Sequence, residues 1–296
     1  MSGRAVECVA DGFAFVEGPR WHRGRLYFSD VAGRRVHALD TDGSVATVCE
    51  VPGQPSGLGF TPEGDLLVVS MLDRRLLRLD GDALVEVADL TELAPFHLND
   101  MVVDSVGRAY VGNFGSNFEE EPIRPTCVIR VEPDGTASIA AESMIFPNGT
   151  AISPDGTTLL VAESFAFRIT AFDVLKDGSL TRRREWARFA PEPAADLSAV
   201  LASDATIPDG ICLDAEGALW VAHPKGRGAL RMSEGGEVMD HIPTGDLAPY
   251  AVALGGQDRR TLYICAALPL GAADPGGGRR GCVLACRVDV PGAGLP

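Results

Sequence analysis

Short apolar runs with polar residues at alternate positions recur along this chain in a fixed order. An apolar strand, a turn containing glycine and a second apolar strand appear six times. The second strands read Leu26-Tyr-Phe-Ser-Asp30, Leu66-Leu-Val-Val-Ser70, Ala109-Tyr-Val-Gly-Asn113, Leu159-Leu-Val-Ala-Glu163, Leu219-Trp-Val-Ala-His223 and Leu262-Tyr-Ile-Cys-Ala266. Turns such as Pro154-Asp-Gly156 and Asp214-Ala-Glu-Gly217 precede them, with glycine available for a positive φ. Most copies continue into a third strand, as in Arg35-Val-His-Ala-Leu-Asp40, and a fourth, as in Val45-Ala-Thr-Val-Cys49. Helix-period stretches are nearly absent, and the stretch 181–190 reads as either helix or strand. Four antiparallel strands per unit, six times over, predict an all-β fold, the six-bladed β-propeller.

A β-sandwich explains neither the six copies nor their regular turns. The run Cys282-Val-Leu-Ala-Cys-Arg-Val-Asp289 reads as the third strand of the last blade, with nothing after it to form a fourth. The segment Val6-Glu-Cys-Val-Ala10 is expected to fill that place, closing the ring and removing an exposed edge. No linker interrupts the pattern, so residues 1–296 are expected to form a single domain.

The repeat also places candidate chemistry. Asn99-Asp100, Asn148-Gly149 and Asp209-Gly210 each begin eight residues before a turn glycine (107, 156 and 217), and Glu17-Gly18-Pro19 begins seven before Gly24. Equal offsets in a repeat mean equivalent places in space. In a propeller the start of each first strand rings one mouth of the central channel. Asn-Gly and Asp-Gly are common turn formers, but here the hairpin turns lie at the opposite strand end. Glu17, Asn99, Asn148 and Asp209 therefore form an all-oxygen set suited to Ca²⁺, with Mg²⁺ or Mn²⁺ as alternatives and Zn²⁺ as a poorer match. The ends of the second strands return to the same mouth. The substrate contacts nominated there are His97, Asn113, Glu163 and His223 as polar ones, and Met71, Phe114 and Phe118 as apolar ones. Asn99 serves as either ligand or substrate contact.

Composition narrows the function further. Of 296 residues, 46% are apolar and 23% charged, ordinary for a globular protein with a core to bury. A formal charge of −15 opposes nucleic-acid binding. No apolar run approaches the roughly 18 residues of a membrane span, and the N-terminus lacks a hydrophobic signal core. A cytoplasmic monomer or homodimer acting on a small molecule is expected. The seven cysteines are scattered in strand-like contexts and are expected to be free thiols. No dinucleotide-binding or Walker pattern is present, which leaves the cation as the expected cofactor.

At this point the residues carry a family resemblance. Phe15-Val-Glu-Gly-Pro-Arg-Trp21, Leu98-Asn-Asp-Met-Val-Val-Asp104, Phe146-Pro-Asn-Gly-Thr-Ala-Ile-Ser-Pro-Asp-Gly156 and Pro208-Asp-Gly-Ile-Cys-Leu-Asp214 together resemble the SMP-30/gluconolactonase/luciferin-regenerating-enzyme family of six-bladed propellers. The resemblance implies a calcium-type ion held by Glu17, Asn148 and Asp209, with Asn99 as fourth ligand or substrate contact. It implies hydrolysis of sugar lactones, with Asp209 as general base. One departure bears on substrate: His97-Leu-Asn-Asp100 stands where many such enzymes carry Arg-x-Asn-Asp.

A bound divalent cation polarises a lactone carbonyl, and Asp209 accepts a proton from the attacking water. The same constellation suits an organophosphate-type hydrolase, a metal-assisted lyase or isomerase, or a non-catalytic ligand-binding propeller with structural Ca²⁺. Two insertions, 115–126 and 191–207, lie on the mouth side and are candidates for a lid.

Overall fold

The computed structural model describes residues 4–269 and 280–294. They form six four-stranded antiparallel sheets arranged as the blades of a propeller. The innermost strands are Val16–His22, Pro55–Phe60, Leu98–Val103, Pro147–Ile152, Ile211–Leu213 and Ala248–Gly255, and each touches its two neighbours around the ring. In four of the six every residue is buried. The outermost strands, such as Val45–Glu50, are largely exposed. That gradient explains the sequence: near-continuous apolar runs inside, alternation further out.

Strand Val6–Phe13 pairs antiparallel with Gly281–Arg287, so the first strand of the chain completes the last blade. The ambiguous stretch 181–190 is strand: Leu180–Arg188 pairs with Arg168–Val174. Among the described residues the only α-helix is Leu197–Ala202, in the second insertion. No helix of the described residues is long and apolar enough to cross a membrane. The glycine-rich segment between Gly271 and Gly281 lies almost wholly outside the described residues.

Apolar side chains pack between adjacent blades. Val69, Leu76, Val111 and Ile129 join blades 2 and 3, and Trp220, Ile242, Leu262 and Ile264 join blades 5 and 6. At the mouth the blades meet backbone to backbone. A Cβ on Gly18 would stand 2.5 Å from Ser56 O, and one on Gly149 2.5 Å from both Asp209 O and Ile211 N. Only glycine permits that approach. The ladder is interrupted at the same place in blade after blade, between Glu17 and Arg20, Pro55 and Leu58, Leu98 and Met101, and Pro147 and Thr150. In blades 3 and 4 the interruption frees Asn99 and Asn148 from regular pairing.

Candidate metal and active site

Glu17, Asn99 and Asn148 lie at the starts of the inner strands of blades 1, 3 and 4, and Asp209 lies two residues before that of blade 5. Asn99, Asn148 and Asp209 are buried and Glu17 is half-buried. Three of the four act on one another directly. Burial, then the charges of Glu17 and Asp100, push the Asp209 carboxyl well above its ordinary 3.8, while Asn148 and the Gly210 N–H pull the other way. Burial and the Asp100 charge push Glu17 up to about 8, against the Gly18 N–H and Arg20. Asn99 joins from the neighbouring side, where Ser56 Oγ donates to its Oδ1 at 3.4 Å.

The positive charge nearest this group is already engaged. Arg20 Nη2 lies 2.8 Å from Asp100 Oδ1 and Arg20 Nη1 donates to Pro19 O at 2.9 Å. Among the described residues neither Glu17 nor Asp209 has an Arg or Lys partner. Asp209 Oδ1 and Asn99 Nδ2 are buried without any hydrogen bond. Turning the Asn99 amide over would present its carbonyl oxygen instead. Two facing carboxylates, an orphaned carboxylate oxygen and two amides are a donor set that a hard divalent cation would satisfy. Among the described residues no three His, Cys, Asp or Glu side chains gather as ligands, so the amides are needed to complete the set. The seven cysteines are free thiols.

Two contacts that the sequence did not advertise hold this set in place. Asn148 Nδ2 donates to Ser164 Oγ at 3.2 Å, and Ser164 Oγ donates to Pro208 O at 2.7 Å. Ser164 thus ties the Asn148 amide to the residue preceding Asp209. The second is the Arg20–Asp100 pair, which forms a charged floor. Beneath it the channel narrows to a cavity of about 40 Å³ lined by Trp21, Ile211, Cys212 and Arg259. That space holds water but no organic substrate, so chemistry faces the opposite mouth.

The polar ends of the second strands are hydrogen-bonded within the protein. Glu163 is fully buried and accepts from Arg168 Nε at 2.7 Å, Arg183 Nη2 at 3.1 Å and Ile145 N at 2.8 Å. Burial opposes its charge, but the bonds from Arg168 and Thr170 outweigh it and hold the carboxyl below its ordinary 4.5. Asn113 donates to Cys127 O at 2.8 Å and accepts from Gly115 N at 3.1 Å. His223 Nδ1 accepts from Ile207 N at 3.2 Å, and burial keeps the ring below its ordinary 6.5, hence neutral. Asp30 accepts from Phe15 N at 3.0 Å. Asp30, Glu163 and His223 therefore grip the segments leading into Glu17, Asn148 and Asp209. The bonded atoms hold the segments that carry the ligand candidates.

Of the other nominated contacts, Met71 is buried at the rim of blade 2. His97 is half-buried, stacked on Phe96 at 3.9 Å, and kept below its ordinary 6.5 by burial and Arg74. Phe114 meets His97 at 5.9 Å and Phe146 at 4.8 Å. The two insertions are joined: Ile123 N donates to Ala195 O at 3.0 Å, and Ala194 N to Phe165 O at 2.8 Å. Both pack on the phenylalanines beside the mouth.

Comparison with known proteins places these features. The profile of the SMP-30/Gluconolactonase/LRE-like region matches residues 15–268. A 6-deoxy-6-sulfogluconolactonase of Pseudomonas putida is 29% identical over 275 residues, covering 92% of this chain and 89% of that protein. A pentonolactonase of Haloferax volcanii is 26% identical over 288 residues, 95% of this chain and 92% of that one. Among solved structures, a calcium-binding protein, regucalcin, from Agrobacterium tumefaciens aligns with a TM-score of 0.80 at 19% identity, over 99% of this chain and 97% of that chain. At that identity the structural likeness is one of fold.

Proposed function

The chain belongs to the SMP-30/gluconolactonase/LRE-like family, and on that premise we propose that it is a divalent-cation-dependent hydrolase of a small lactone. The observation that carries the reading is the buried, unpartnered Asp209 Oδ1 facing Glu17 at the channel mouth. The lactonase names of two relatives that share most of their length with this chain support the reaction class. Glu17, Asn148, Asp209 and Asn99 would hold the cation, Ca²⁺ first among the candidates.

When bound, such an ion polarises the ester carbonyl and stabilises negative charge developing on its oxygen. The chain's own residues do the rest. Asp209 Oδ1, with no donor of its own, takes a proton from the water that attacks the carbonyl carbon. The ring C–O bond breaks, and the departing alkoxide recovers that proton, giving the open hydroxy acid. Ser164 fixes the Asn148 amide so that the reacting groups are aligned before substrate arrives. The Arg20–Asp100 pair closes the channel beneath and keeps its charge engaged away from the carboxylates.

The test is hydrolysis of a lactone panel followed by a pH indicator, with Ca²⁺ and with EDTA. Turnover that EDTA abolishes and Ca²⁺ restores is expected. Turnover indifferent to EDTA overturns the cation dependence, and no turnover of any lactone with Ca²⁺ overturns the reaction class.

A further inference from the structure

The wall of the mouth over blades 3 and 4 is built from aromatic rings. Phe114 contacts Phe118 at 5.6 Å and Phe146 at 4.8 Å. Phe165 contacts Phe118 at 5.1 Å and Phe146 at 4.2 Å. These rings adjoin the ligand candidates along the chain. Phe146 is two residues before Asn148, and Phe165 follows Ser164, which holds the Asn148 amide. Phe146 and Phe165 are buried, whereas Phe114 and Phe118 keep ring surface open to solvent.

Two further observations give the wall meaning. Phe146 sits at φ +49°, in the left-handed region that an aromatic residue adopts only when its surroundings force it. Its ring is therefore held in place by the fold. Asn113 and Glu163, at the ends of the strands beside this wall, are committed to backbone and arginine partners, and His97, 5.9 Å from Phe114, is stacked face to face on Phe96 and leaves one imidazole edge as the wall's polar neighbour. A polyhydroxylated ring resting on the four phenylalanines would bury more hydroxyls than one imidazole edge can bond, which is unfavourable. An apolar ring would bury its surface against phenylalanine, which is favourable.

Resting on the lactonase reading, we propose that the substrate is a lactone bearing an apolar substituent the size of an aromatic ring, and that Phe114 and Phe118 set this specificity. The reacting ester sits at the carboxylate and amide set, and the substituent lies against the half-buried rings of Phe114 and Phe118.

The experiment compares kcat/KM, with Ca²⁺ present, for δ-phenyl-δ-valerolactone, δ-valerolactone and glucono-δ-lactone. The expected order is phenyl, unsubstituted, then sugar. Phe118→Ala is expected to lower the phenyl-to-unsubstituted ratio about tenfold or more, and Phe118→Leu to restore part of it. A sugar lactone preferred by the wild type, or a ratio unmoved by Phe118→Ala in folded protein, overturns the proposal while leaving the lactonase reading intact. Should all three lactones be inert, the lactonase reading fails by itself. Ligand-observed NMR with the matching phenyl lactam then decides the wall's role: binding weakened by Phe118→Ala supports an apolar subsite, and no binding overturns it.

Discussion

Replacing Glu163 by glutamine separates a positioning role from a substrate contact. The carboxylate is fully buried and takes two bonds from Arg168, at 2.7 and 2.8 Å, one from Arg183 at 3.1 Å and one from Ile145 N at 2.8 Å. Glutamine keeps the shape but leaves two guanidiniums without their counter-charge. Breaking a buried pair by losing one partner costs about 3–5 kcal/mol. Arg168 and Arg183 retain 19% and 34% side-chain exposure, which places the loss near the lower end, about 3 kcal/mol. For a chain of this length the unfolding entropy is about 0.6 kcal/mol/K, so the melting temperature should fall by about 5 °C. Because Ile145 lies three residues before Asn148, Ca²⁺ affinity should also fall, by about tenfold. Thermal melts by circular dichroism, with and without Ca²⁺, measure both effects.

The pH dependence gives an internal check. The folded carboxyl is held below its ordinary 4.5, so its contribution is complete above that pH and fades as pH falls through the folded value. The deficit of Glu163→Gln should be full at pH 7 and shrink below pH 4.5. A variant that melts within about 1 °C of wild type, or one that loses activity with stability and Ca²⁺ affinity unchanged, would refute this account of Glu163.

Three other perturbations follow from the same geometry. Ser164→Ala frees the Asn148 amide and should weaken Ca²⁺ binding about 10–100-fold, with about 1 kcal/mol of stability lost; calorimetry and melting read the two separately. Gly149→Ala forces a Cβ to 2.5 Å from Asp209 O and Ile211 N, and should cost about 3 kcal/mol or more, whereas at Gly156, where a Cβ meets nothing, only the positive φ is strained and about 1 kcal/mol is expected in urea melts. Removing residues 1–13 strips Gly281–Arg287 of its partner strand, and size-exclusion chromatography should show aggregation in place of the wild-type peak.

The propeller was legible because each blade repeats one short code of apolar strand, glycine turn and apolar strand. The ligand candidates stood out in the sequence because Asn99, Asn148 and Asp209 keep one offset from their turns. What the sequence did not show were the bonds that hold Asn113, Glu163 and His223 within the protein. A polar residue ending an apolar strand reads as a lining residue, and the backbone N–H groups that reach Glu163 from Ile145 and His223 from Ile207 are invisible to any residue-type pattern. A signal did exist: Asp30 reaches Phe15, Glu163 reaches Ile145 and His223 reaches Ile207, separations of 15, 18 and 16 residues. The aromatic wall was only half visible, since Phe118, Phe146 and Phe165 meet through two insertions whose mutual packing no periodicity encodes.

The central claim is that Glu17, Asn148, Asp209 and Asn99 grip one divalent cation. Calorimetric titration of metal-free protein with CaCl₂, repeated with Asp209→Asn, tests it most directly. One saturable site in the wild type, lost in the variant while its fold persists, is the predicted result. A wild type that takes up no Ca²⁺, or a variant that binds it as tightly as the wild type, would contradict the account.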